Sequence, residues 1–264
     1  MKIYVSVDME GIAGVVIREQ LRRGEAFYEE GRRLVTREVN VLVDSLLAAG
    51  ATDIIVKDAH GTGFNFLVEQ LHKGARYVMG AARTERRFPG LDDTFDGAFL
   101  IGYHAMAGAL DAVRDHTYVP TDWQQLTLNE AAIGEIGLDA LFFGHYGVPV
   151  LLVSGDDKAC AEARRQLGDV STYQTKVGFG KHVALLDPPS RVHERLPEVV
   201  REALQTAKER SPYEVPGPYT LTMRYAGTEH LDARYFDGEH AVRVDGTTVA
   251  YRDEDFLRLV ARAL

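Results

Sequence analysis

The sequence predicts a three-layer α/β/α fold around a mainly parallel sheet, with a smaller C-terminal α+β subdomain. Three observations lead there. β-branched and aromatic runs alternate with segments of helical spacing, as in successive βα units. Those runs are apolar throughout, as strands covered on both faces are. The pattern then changes after Asp187-Pro188-Pro189, beyond which strand-like segments alternate polar and apolar residues. Residues 1–185 therefore read as one α/β domain and residues 186–264 as a subdomain packed on it.

The first strand is Ile3-Tyr4-Val5-Ser6-Val7, closed by Asp8-Met9-Glu10-Gly11, where the glycine frees the backbone to turn away. A helix follows over 27–49: Leu34, Val35, Val39, Leu42, Val43, Leu46 and Leu47 keep helical spacing, and Gly50 stops it. Residues 53–58 form a second strand leading into Ala59-His60-Gly61, followed by a helix over 65–72 and a short strand over 76–79. Residues 95–102 are a third core strand running into Tyr103-His104, after which a Gly/Ala-rich loop reaches Arg114-Asp115-His116. A helix over 130–146 precedes a fourth strand at 148–153, and Asp156 or Asp157 caps the helix that ends near Leu167. The tail holds a helix over 190–209, a half-exposed strand over 219–225, a hairpin turning at Asp245-Gly246 and a last helix over 254–264.

With 264 residues, 45% hydrophobic and 26% charged, the chain suits one large domain or a principal domain with a smaller partner. A net charge of −9 argues against nucleic acid as a partner. The single cysteine, Cys160, leaves no internal disulfide and fits a reducing compartment. No run reaches the ~18 apolar residues of a membrane span, and the N-terminus lacks a signal-peptide pattern, so a cytoplasmic protein without membrane contact is expected.

Candidate functional residues recur where predicted strands end. Asp8 and Glu10 put their carboxylates on one side of an extended chain, and two such charges repel unless a cation sits between them. His60 lies two residues past the second strand and His104 two past the third. In open parallel sheets the carboxyl ends of the strands form the ligand crevice, so these four side chains are expected to meet. Glu135, early in the helix over 130–146, offers a third carboxylate. Two imidazoles with three carboxylates suit zinc first, then manganese or iron, and are too nitrogen-rich for calcium or magnesium. Five ligands exceed what one catalytic zinc needs, which makes a dinuclear site bridged by Asp8 attractive. Each residue alone has an ordinary structural explanation, as a cap or a loop imidazole; the set at three successive strand ends does not. The remaining histidines, and Cys160 on its predicted helix, are read as structural.

Ser6-Val7-Asp8-Met9-Glu10-Gly11, Asp58-Ala59-His60, Leu91-Asp92-Asp93-Thr94-Phe95, Gly102-Tyr103-His104, Gly134-Glu135-Ile136-Gly137-Leu138 and Val148-Pro149-Val150 with Gly155-Asp156-Asp157 resemble, in order, the zinc-dependent D-aminopeptidases of the DppA type, a metallopeptidase family. The resemblance covers about the first 160 residues. It implies two zinc ions (Zn2+) per subunit on Asp8, Glu10, His60, His104 and Glu135, with His116 as a catalytic residue outside the ligand set. It further implies release of N-terminal D-amino acids from short peptides by attack of a zinc-bridging hydroxide. The implied assembly is a self-compartmentalising homo-oligomer, a decamer of two pentameric rings. The loop over 105–115 and the tail depart from the family pattern, which bears on substrate preference and leaves the metal set untouched.

At such a site His116 would donate a hydrogen bond to the oxyanion or pass a proton to the leaving amine. Asp115 is a candidate for holding the substrate's ammonium group. A second reading keeps the metals and makes the substrate a phosphoester; neither a phosphate-cradling Gly-rich loop nor arginines clustered at strand ends favour it. A third is a non-catalytic peptide-binding or transport accessory protein, which a full ligand set together with His116 disfavours. The handedness of the substrate rests on the resemblance alone.

Overall fold

The apolar run that opens the chain becomes an interior strand of a seven-stranded sheet, in a computed structural model that describes the backbone of residues 1–264 and every side chain except that of Glu85. The strands are β1 (Lys2–Val7), β2 (Asp53–Asp58), β3 (Arg76–Val78), β4 (Gly97–Tyr103), β5 (Trp123–Leu128), β6 (Ala131–Ala132), β7 (Val150–Asp156), β8 (Ser171–Gly180), β9 (Val183–Leu186), β10 (Tyr219–Tyr225), β11 (Ala241–Arg243) and β12 (Thr248–Asp253). The helices are α1 (Tyr28–Ala48), α2 (Glu135–His145), α3 (Asp157–Leu167), α4 (Pro189–Gln205), α5 (Glu229–Asp232) and α6 (Phe256–Ala263). The large sheet has the order β3-β2-β1-β4-β7-β8-β9, parallel except for β9. A second sheet, β11-β12-β10-β5-β6, is antiparallel.

Alternate residues of β1 enter two different cores. Ile3, Val5 and Val7 pack with Val35, Val39 and Leu42 of α1 and Leu196 and Val200 of α4. Tyr4 points the other way, into a cluster with Phe142 and Phe143 of α2 and with Leu221 and Met223 of the second sheet. Covering both faces is what makes the strand apolar throughout, and it builds the expected three layers. None of the helices is long and apolar enough to cross a membrane.

The sequence and the structure part company at several elements. The two sheets do not divide the chain at 185/186: β5 and β6 join the second sheet, while α4 packs on α1 over the first. β5, β8 and β9 were not expected. The helix over 65–72 is reduced to a single 3-10 turn, Val68–Gln70. Its first turn is captured instead: Asp58 accepts from the Asn65 backbone N–H (2.5 Å) and side-chain amide (2.8 Å), and Thr36 accepts from Leu67 N–H. The helix over 130–146 starts only at Glu135, because Asn129 and Glu130, with φ of 48° and 71°, turn the chain back so that Ala131–Ala132 pairs with β5.

Gly11 is required by close approach. A Cβ there would overlap the Tyr103 carbonyl oxygen, and Gly11 N–H donates to Gly102 O at 2.7 Å. Gly102, at φ +71°, in turn makes room for the Asp8 carbonyl. The loop leaving β1 is thereby pressed against the end of β4, which brings Asp8 and His104 together.

Candidate metal centre and active site

The strand order reverses between β1 and β4, and at such a switch point adjacent parallel strands open a crevice at their carboxyl ends. Asp8 and Glu10 follow β1, His60 follows β2, His104 follows β4, and Glu135 is the first residue of α2. All five meet there. Donor atoms of Asp8, Glu10 and His60 lie within 4.8 Å of one another, as do those of His104, His116 and Glu135.

The imidazoles share one arrangement. His60 Nε2 faces the Leu21 carbonyl at 3.0 Å, while Nδ1 faces Asp8 Oδ1 at 2.9 Å and Glu10 Oε2 at 3.1 Å. His104 Nδ1 faces the Ala105 carbonyl at 3.0 Å, and Nε2 faces Asp8 Oδ2 and Glu135 Oε1, both at 3.3 Å. His116 Nδ1 faces the Arg114 carbonyl at 2.9 Å, and Nε2 lies 3.8 Å from Glu135 Oε1. A carbonyl only accepts, so each of these nitrogens must carry the proton and each partner nitrogen is aimed at carboxylates. Bare nitrogen lone pairs facing carboxylate oxygens repel, and the pocket therefore calls for cations between them: protons or metal ions. Glu10 Oε2 and His104 Nε2 are buried without an aligned hydrogen-bond partner, and the two oxygens of Asp8 face different imidazoles. A donor set of this kind fits two borderline divalent ions with Asp8 between them.

The charges respond accordingly. Burial alone would raise the Asp8 carboxyl, but hydrogen bonds from His104 and His60 override it and hold it well below the usual range. Burial opposes the protonated rings of His60 and His104, yet Glu10 and Asp8 at the first, and Glu135 and Asp8 at the second, hold both well above the ordinary imidazole value. Protons fill the place of the metal. His116 goes the other way, lowered by burial and by the neighbouring charge of His104, on which it stacks at 3.9 Å.

Behind the cluster runs a polar network that sequence reasoning missed. Glu135 Oε1 accepts from Tyr118 N–H at 2.8 Å, and its Oε2 lies 3.8 Å from Arg87. Arg87 grips Asp139 with two hydrogen bonds; Asp139 accepts from Tyr103 Oη at 2.5 Å, and Tyr103 meets Ser6 at 2.8 Å. On the far side Glu162 of α3 accepts from Met106 N–H, two residues past His104, at 2.7 Å. Asp156 caps α3 through Ala159 N–H and also holds Val113 N–H. Cys160 is buried, its thiol pushed up to about 12 by burial.

A cavity of about 510 Å³ opens over the cluster, lined by Asp8, Glu10, His60, His116 and Glu135 together with Arg22, Arg23, Arg87 and Arg114. One sequence expectation is corrected here. Asp115 is not in the lining; its carboxylate accepts from Gly108 N–H and pairs with Lys181, so it organises the loop and does not face a substrate ammonium. The arginines of the cavity are brought in by loops and not by strand ends, as expected.

A switch-point crevice carrying three imidazoles and three carboxylates under an open cavity defines a metallohydrolase-type site. The chain belongs to the peptidase M55 family of D-aminopeptidases, whose profile matches residues 1–263. It is similar to the D-aminopeptidase of Bacillus subtilis (strain 168), with 32% identity over 257 residues, 97% of this chain and 93% of that protein. The solved structure of the Zn-dependent D-aminopeptidase DppA from Bacillus subtilis, described as a self-compartmentalizing protease, superposes with a TM-score of 0.92 at 32% identity, over 100% of this chain and 96% of that one. The family likeness thus extends well past the first 160 residues, through the tail.

Proposed function

We propose that this protein is a zinc-dependent aminopeptidase that removes N-terminal D-residues from short peptides inside a closed homo-oligomer. The observation that carries the reading is the shared arrangement of His60 and His104: each gives one N–H to a main-chain carbonyl and aims the other nitrogen at carboxylates. Asp8, Glu10 and His60 would hold one zinc ion, and Asp8, His104 and Glu135 a second. When bound, the ions would supply Lewis acidity to the scissile carbonyl and acidify the attacking water.

The chain's own groups do the rest. His116 keeps its proton on Nδ1, fixed by the Arg114 carbonyl, so Nε2 is free to accept the proton of the attacking water and return it to the leaving nitrogen. That tautomer favours proton transfer over oxyanion donation by a neutral ring. Tyr118 N–H and the Arg87–Asp139 pair hold Glu135 in place, and the Leu21 carbonyl orients His60. D selectivity follows from kinship with enzymes of that description.

Assembly would cover the β8–β9 hairpin, where Phe179 of β8 and Val183, Leu185 and Leu186 of the outer strand β9 stand exposed. An apolar patch on an open sheet edge is what soluble proteins cover. Two stacked pentameric rings, in the cytoplasm, are the arrangement we propose. The test is hydrolysis of D-Ala-D-Ala, its N-acetyl derivative and p-nitrophenyl phosphate by protein of known metal content. We expect about two zinc per chain, cleavage of the free dipeptide alone, and loss with chelator that zinc restores. Faster turnover of the phosphoester, or undiminished activity without metal, would overturn the reading.

A further inference from the structure

Arg114 is a buried cation with no carboxylate in ion-pair contact, although Glu10 and Asp115 act on it through space. It is 9% exposed, its Nε is enclosed with no hydrogen-bond partner, and no carboxylate among the described residues pairs with it. Its one polar side-chain contact is a long one, Nη1 to His182 Nε2 at 3.5 Å. Arg87, the other poorly exposed arginine of the cavity, is by contrast fully committed to Asp139, and Arg22 and Arg23 are exposed. Taking a guanidinium out of water is costly unless a counter-charge replaces the water. The backbone of Arg114 is also held at φ +57°, a left-handed conformation that non-glycine residues rarely adopt. Desolvation and strain are thus concentrated at a residue that lines the cavity and whose carbonyl fixes His116.

We propose that Arg114 binds the free α-carboxylate of the peptide's leaving portion, which restricts the enzyme to di- and tripeptides. The assignment rests on the aminopeptidase reading above. Reach supports it. The Cα atoms of residues 114 and 116 are at most about 7 Å apart, and the carboxylate of a dipeptide or tripeptide lies about 3.5 or 7 Å beyond the scissile carbonyl. Arg114 and His116 line the same cavity, so the guanidinium borders the space that a carboxylate one or two residues past the cleaved bond would enter. Its planar fork of donors matches a carboxylate in two parallel hydrogen bonds, which sets direction as well as charge. Arg114 thus supplies a counter-charge for the carboxylate end of a short peptide.

The experiment compares kcat/KM for D-Ala-D-Ala and for the same dipeptide as its C-terminal amide. Wild-type enzyme should prefer the free acid by about 10²–10³-fold, the usual worth of a desolvated charge pair. Arg114→Met should bring that ratio to within a few-fold of one, chiefly through KM for the acid, and Arg114→Lys should lie between. Cleavage of both peptides by the wild type at equal rates, or a ratio unmoved by Arg114→Met, would overturn this assignment alone. Failure of the wild type to cleave either would overturn the aminopeptidase reading and this one with it.

Discussion

Replacing Glu162 by Gln should stabilise the metal-free protein in proportion to pH. Glu162 is 2% exposed, and one of its oxygens has no hydrogen-bond partner while the other accepts from Met106 N–H. Burial pushes its carboxyl up to about 7. Between the unfolded value of 4.5 and 7 the folded protein keeps a proton that the unfolded chain has lost. Stability from this group is therefore complete below 4.5 and falls as pH rises through 7. Integrated from pH 5 to pH 8, the loss comes to about 2–3 kcal/mol, at roughly 1.36 kcal/mol per unit. Glutamine keeps an acceptor for Met106 but cannot ionise. Its NH2 brings a constant cost of about 1–2 kcal/mol for an unpaired donor, which cancels when the two pH values are compared. With roughly 2.1 cal/mol/K of unfolding entropy per residue over 264 residues, 2–3 kcal/mol is about 4–5 °C. Calorimetry of both proteins, at one concentration and without metal, should show the Tm difference (Gln minus Glu) growing by that amount from pH 5 to pH 8. A difference that stays flat or shrinks would refute the buried, ionising carboxyl as the cause.

What the sequence could reveal follows from the physics of parallel strands. Their carboxyl ends share one edge, so Asp8, Glu10, His60 and His104 were legible from position alone. Glu135 was legible as an early helix residue, though the chain before it forms β5 and β6. β8 escaped because its inward positions are polar. Thr175 and Lys176 are buried there to serve the loop after β1: Lys176 Nζ donates to the carbonyls of Glu10, Ile12 and Val15 at 2.6, 2.8 and 2.5 Å, and Thr175 donates to Gly11 O at 2.6 Å. A pattern of apolar residues cannot register a strand that holds its neighbour by hydrogen bonds. Residues 65–72 failed for the converse reason, since helical spacing lost to the capture of Asn65 by Asp58. Arg114 had no sequence signal at all. Its left-handed backbone and its lack of an ion-pair partner exist only once residues 105–116 have folded against Asp156, Glu162 and Lys181.

Two further outcomes test assembly and roles. Leu185→Glu with Val183→Lys, on the exposed face of the outer strand, should lower the mass seen by light scattering to that of smaller species; an unchanged mass would clear this hairpin of any role in assembly. The second outcome separates the parts of the cluster. Asp8→Ala removes a carboxylate whose two oxygens face His60 and His104, so bound zinc and activity should vanish together. His116 Nε2 lies 3.8 Å from Glu135, and the ring stacks on His104 and completes a second group of donor atoms, so geometry alone permits it to be a ligand. If it moves protons instead, His116→Ala should keep its zinc and lose about 10²–10⁴-fold in kcat with little change in KM, because the contact is made mainly in the transition state. Zinc loss would make His116 a ligand, and near-normal turnover would leave it a packing residue under the loop. Metal analysis and kcat measured on the same preparation decide among the three.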